Sequence, residues 1–123
     1  MDSPHSWDAN APGSYTTSLQ RLPHSSTFSV AKGLVWVFAS AQTVSNSRDD
    51  TVVTLWKGST RIARGDQDDP DRVSAVLGPG DYTVCVLSNA ADSTGTAASE
   101  CGGAAPAPDQ PVEFKIRFSP IPG

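Results

Sequence analysis

Helix-forming runs of Leu, Glu and Lys are missing from this chain, and methionine and histidine are scarce. Its 123 residues include one methionine, two histidines and two cysteines. Without a helical apolar period there is no coiled coil or long-helix protein, and no apolar run approaches the ~20 residues a membrane-spanning helix needs. A basic excess is also lacking. Nine basic against thirteen acidic residues give a net charge of −4, whereas a nucleic-acid binder needs a basic patch to neutralise phosphates. No basic amphipathic segment suits a membrane surface. Neither nucleic acid nor a membrane is therefore an expected partner.

The shortage extends to catalytic chemistry. Both histidines, His5 and His24, lie in the first quarter of the chain. No nucleophile-elbow sequence accompanies the many serines, no glycine-rich loop is built to cradle phosphate, and zinc would need further ligands. The expectation is a non-enzyme. No signal peptide opens the chain, because Met1 is followed at once by Asp2, Ser3 and Pro4.

What is abundant is turn chemistry. Ten glycines and ten prolines exceed the average usage of about 12% for the two together. They punctuate short β-branched runs. STFSVA (26–31) alternates Phe28 and Val30 with polar residues, a half-buried strand. LVWVFASAQTV (34–44) is the most hydrophobic run, expected to be a central strand covered on both faces at its start. TVVTLWK (51–57), Gly58-Ser59 and TRIAR (60–64) read as a hairpin. RVSAVL (72–77) and DYTVCVLS (81–88) follow, the latter with Tyr82, Val84 and Val86 on one face and Thr83, Cys85 and Leu87 on the other. PVEFKIRFS (111–119) points Val112, Phe114, Ile116 and Phe118 inward. SYTTSLQRL (14–22) reads as an edge strand. About eight strands without a helical period predict an all-β, antiparallel two-sheet β-sandwich, jelly-roll-like, spanning 14–123. Residues 1–13 read as an N-terminal arm or linker.

Cys85 and Cys101 are too far apart for a CxxC motif and lack the histidines of a zinc site. They are expected to form one disulfide, which implies an oxidising compartment. The chain is thus expected to be secreted, its signal already removed. The bond would tether the long polar segment 88–110 to the outside of its own strand.

Several of these stretches, in order, resemble the bacterial pre-peptidase C-terminal domain, a jelly-roll sandwich attached to secreted peptidases and other exported enzymes. TFSVAKGLVWVFAS is similar to that family's opening strand pair, DDTVVTLWKGSTRIARGDQDD to its middle hairpin with flanking acidic turns, LGPGDYTVCV to its Gly-turn and aromatic-led strand, and VEFKIRF to its closing strand. The resemblance spans about 24–119. The family's usual Asp-x-Asp-Leu-aromatic arrangement is replaced here by Asp49-Asp50-Thr51-Val52-Val53-Thr54-Leu55-Trp56, which alters the carboxylate spacing of its calcium site.

Two features could hold a ligand. Asp66, Asp68, Asp69 and Asp71 on one short loop, with Asp49 or Asp50 nearby, offer the hard oxygens calcium takes from irregular backbone; the resemblance implies the same region. A solvated acidic turn that blunts a sheet edge explains the cluster equally simply. Among the tryptophans, Trp36 is expected in the core. Trp56, sharing a mixed face with Val52 and Thr54, is the best candidate for an exposed binding platform, against the plainer alternative of a ring packed under the long loop. Arg64-Gly65-Asp66 spells the integrin tripeptide, which a hairpin end running into an acidic loop explains without a receptor.

The resemblance implies a secreted, non-catalytic accessory domain that works with a parent or neighbouring exported enzyme, or engages a polysaccharide or protein polymer. A carbohydrate-binding module is the nearest rival. An interaction or inhibitor domain presenting the tethered loop 88–110 is the third reading.

Overall fold

A computed structural model describes residues 6–19, 24–43, 51–65, 71–88 and 112–122. Nine strands are present among them: β1 (Ser6–Asp8), β2 (Gly13–Leu19), β3 (His24–Val30), β4 (Leu34–Thr43), β5 (Thr51–Lys57), β6 (Thr60–Gly65), β7 (Asp71–Leu77), β8 (Gly80–Ser88) and β9 (Val112–Ile121). They form two sheets, one of five strands in the order β1-β3-β8-β5-β6 and one of four in the order β2-β9-β4-β7. The chain is an all-β sandwich, as its turn spacing predicts, with β2 at a sheet edge and β4 inside its sheet.

The core follows from period-two alternation. On β9, Val112, Phe114, Ile116 and Phe118 are buried while Lys115 and Arg117 are exposed. On β4, Val35, Val37, Ala39 and Ala41 face the same core. Ala39 and Ala41 register beside Ile116 and Phe114, so small side chains leave room for large ones. The opposite sheet contributes Phe28, Val30, Val53, Leu55, Tyr82, Val84 and Val86. Phe28 stacks on its cross-strand neighbour Tyr82 at 5.3 Å and reaches across the sandwich to Phe118 at 5.2 Å. Burying each such ring contributes roughly 1.5–3 kcal/mol. The Tyr82 hydroxyl donates to the Gly78 carbonyl at 2.7 Å, so the ring is buried without stranding its polar tip.

Each side of the sandwich is closed in its own way. On one side Gly65, the last residue of β6, lies against the backbone of β7; a Cβ there would meet the Arg72 carbonyl oxygen at 2.0 Å. Only glycine permits that approach. This is the structural reason for the glycine in Arg64-Gly65-Asp66.

On the other side, the stretch read as an arm contributes β1, which pairs in parallel with β3. The chain between these two strands passes through the opposite sheet as β2, the crossover a parallel pair requires. Trp7 packs between the sheet edges, with ring centroids 5.8 Å from Tyr15, 6.3 Å from Phe114 and 6.2 Å from Phe118. Asn10 then fastens the β3–β4 turn. Its Oδ1 accepts the Ala31 and Lys32 amides at 2.6 and 3.3 Å, and its Nδ2 donates to the Lys32 carbonyl at 2.9 Å.

Two expectations need correction. The start of β4 is not covered on both faces: Leu34 is 50% exposed, and Trp36 and Phe38 are half-buried on the outer side. Trp36 is therefore not a core residue. The run LVWVF reads as doubly buried because its outward residues are as apolar as its inward ones.

Candidate functional site

The outer faces of the two sheets differ. On the five-stranded sheet, β5 and β8 bury both faces. Val52, Thr54, Cys85 and Leu87 have no exposed surface and Trp56 has 1%. The Trp56 indole N–H donates to the Thr54 hydroxyl at 3.0 Å, a local partner that lets the ring stay buried. An exposed platform at Trp56 is thus overturned; the ring belongs to a second buried layer. The signal for it was in β8, where Cys85 and Leu87 alternate with Val84 and Val86 and leave both faces apolar. Among the described residues no cysteine is free. Cys101 and the segment 89–111 lie outside the described residues.

The four-stranded sheet opens outward instead. Trp36 and Phe38, two apart on β4, stack at 5.8 Å with 19° between their planes. Register places Phe38 beside Arg117 and Trp36 beside Ser119 on β9, and places Arg117 beside Ser14 and Lys115 beside Thr16 on β2. Trp36, Phe38, Lys115, Arg117, Ser14 and Thr16 line a concavity of about 350 Å³, together with Tyr15 and Ile116. Lys115 makes an exposed ion pair with Glu113 at 3.3 Å, a contact of small energy in solvent. Arg117 has no ion-pair or hydrogen-bond partner among the described residues. Beyond the groove, Leu34, Val76 and Ile121 add exposed apolar surface at 50%, 53% and 40%. The site is an aromatic wall with two cations and two small hydroxyl residues on a rigid sheet.

A second concavity of about 370 Å³ lies across β1, β3 and β8, lined by Ser6, Thr27, Ser29, Asp81 and Thr83 among others. The stacked rings of Phe28 and Tyr82 also border it, but both are buried in the core rather than presented outward.

No family model matches the chain, and no curated protein matches it either. Solved structures do. The crystal structure of the pre-peptidase C-terminal domain of a collagenase from Bacillus anthracis superposes with a TM-score of 0.55 at 12% identity, over 97% of this chain and 98% of that one. In fold, the chain resembles the pre-peptidase C-terminal domain. At that identity the likeness is one of fold. The core of the Drosophila protein NLP is also similar, with a TM-score of 0.48, 15% identity, 85% of this chain and 96% of that one covered.

Of the acidic residues read as calcium ligands, Asp50, Asp66, Asp68 and Asp69 lie outside the described residues. Asp71 is fully buried, and its Oδ2 accepts the Thr51 hydroxyl at 2.5 Å. Among the described residues no group of three or more His, Cys, Asp or Glu side chains is placed to hold a metal. The described member of the acidic set thus sits at a junction between sheets. It is the groove on the pre-peptidase C-terminal-like sandwich, missed in the sequence because Trp36 read as core, that presents aromatic and cationic side chains outward.

Proposed function

We propose that this chain is a non-catalytic binding module, working beside an exported enzyme and holding it to a polymeric substrate. The observation that carries this reading is the Trp36–Phe38–Arg117 groove. Apolar ring surface and an unengaged guanidinium are held open on a sheet whose stiffness comes from the core beneath it. Such a surface recognises a ligand at little ordering cost, because its shape is present before binding. The likeness in fold to a domain of a bacterial collagenase supports an accessory role and export.

The same reading places a disulfide between Cys85 and Cys101, fitting the oxidising surroundings of an exported protein. It also assigns calcium to the acidic loop. Placement supports this: Asp50 directly precedes Thr51, Asp66–Asp69 run into Asp71, and the Thr51–Asp71 bond holds those two chain points together. Calcium bound there would supply charge neutralisation and brace the loop.

Retention on a panel of insoluble polysaccharides and protein fibres tests the function. Wild type is expected to be held by at least one polymer and Trp36→Ala to be released, while the variant remains folded at the assay temperature. Retention unaffected by Trp36→Ala would remove the groove from the reading.

A further inference from the structure

The groove also has a chemical preference, and this inference rests on the binding-module reading above. The chain is acidic overall, at −4, yet the groove is lined by two cations, Lys115 and Arg117. Arg117 registers directly beside Phe38 on the neighbouring strand. Its planar fork is therefore placed where a carboxylate can be gripped by two parallel N–H donors while a ring lies on the adjacent aromatic surface. Lys115, held only by an exposed pair with Glu113 at 3.3 Å, is a second cation that an incoming carboxylate can recruit at small cost. Ser14 and Thr16, exposed on β2 beside these cations, add short hydroxyls suited to hydroxyl-rich partners.

The backbone favours a sugar chain over a peptide. β9 is hydrogen-bonded to β2 on one side and to β4 on the other along the whole groove. Its amides and carbonyls are spent in the two ladders. An extended peptide normally gains affinity by pairing its own backbone with a free strand; β9 and β4, which carry the cations and the rings, are paired on both edges, and among the described residues only the outer edge of β2, at the rim of the groove, is open. A chain of pyranose rings needs only ring faces, hydroxyl partners and, if acidic, a cation.

We propose that the groove binds an acidic polysaccharide, with uronate carboxylates on Arg117 and Lys115 and pyranose faces against Trp36 and Phe38.

Calorimetry with a short oligogalacturonate, its methyl ester, a neutral cello-oligosaccharide and poly-L-glutamate tests this with the folded full chain. The oligogalacturonate is expected to bind, at least ~10-fold more weakly to Arg117→Gln, the loss expected for one charge-assisted contact. Its affinity should fall as salt is raised, and the methyl ester should not bind at the same concentration. Arg117→Lys should recover only part of the affinity, because it keeps the charge and loses the fork. Equal binding of the neutral sugars overturns the acid preference, while a Trp36-dependent affinity for them leaves the binding-module reading standing. Tighter binding of poly-L-glutamate assigns the groove to acidic peptide and overturns the proposal. So does failure of wild type, melting normally, to bind the oligogalacturonate at all.

Discussion

The Thr51 hydroxyl donates to Asp71 Oδ2 at 2.5 Å, joining the first residue of β5 in one sheet to the first residue of β7 in the other. Both residues are wholly buried. The same hydroxyl lies 3.5 Å from the Ala41 carbonyl of β4, whose Cα partner in the ladder is Asp71. The sheets are thus fixed to each other by a polar contact at the end where both acidic stretches enter. Thr51→Val keeps the shape and removes one hydrogen bond from a buried carboxylate, so it is expected to lower stability by about 1–3 kcal/mol in urea unfolding. A midpoint equal to wild type would show that the contact is not holding the junction.

Gly65 offers a sharper mutational test. Alanine there places a carbon against the Arg72 carbonyl oxygen, and backbone cannot step aside as a flexible side chain does. Gly65→Ala should cost about 3 kcal/mol or more, the upper range for overpacking. Arg64→Ala, one residue earlier and exposed, should shift the melting temperature far less.

The two tryptophans of the central region should separate cleanly. Trp56→Ala empties a fully buried site and is expected to destabilise by about 3–5 kcal/mol. Trp36→Ala removes a half-buried outer ring and should cost about 1 kcal/mol, while abolishing polymer retention. A Trp36→Ala variant that unfolds like Trp56→Ala would mean that its ring is structural.

Calcium has its own readout. If the acidic loop binds it, calcium at about a hundred times its Kd adds about 2–3 kcal/mol to stability by mass action, and EDTA lowers the melting temperature. Melting unmoved by either reagent removes calcium from the reading.

Trp7 tests the closure of the opposite side. Its contacts with Tyr15, Phe114 and Phe118 predict a loss of about 2–4 kcal/mol for Trp7→Ala, somewhat below a full core deletion because the ring is half-buried. Limited proteolysis should then cut near Ala9 sooner than in wild type.

Strands with strict alternation were legible from sequence. Phe28 and Val30, and the inward set of β9, lie where their spacing puts them, because one buried face and one wet face leave a period-two record. Apolar residues on outward faces left no such record. Trp36 and Phe38 resemble core because hydropathy cannot tell which side of a strand has a sheet packed on it. Trp56 looked exposable because its neighbour Thr54 is polar, yet that hydroxyl is the indole's own partner. β1 was missed for a different reason. Three residues give no periodicity, and their place is set by Asn10 and by Trp7 finding partners far along the chain. The glycine of Arg64-Gly65-Asp66 was visible, but the backbone it touches belongs to another sheet.

β9 has a consequence for how the molecule comes into being. The last strand in sequence lies between β2 and β4, so an emerging chain has two strands waiting for the one that separates them. Sheets assembled from such distant segments fold slowly, on the scale of milliseconds to seconds. Until β9 arrives, neither neighbour can complete its ladder. Lys115 and Arg117 travel on that strand. The cations of the groove therefore take their places in the step that completes this sheet.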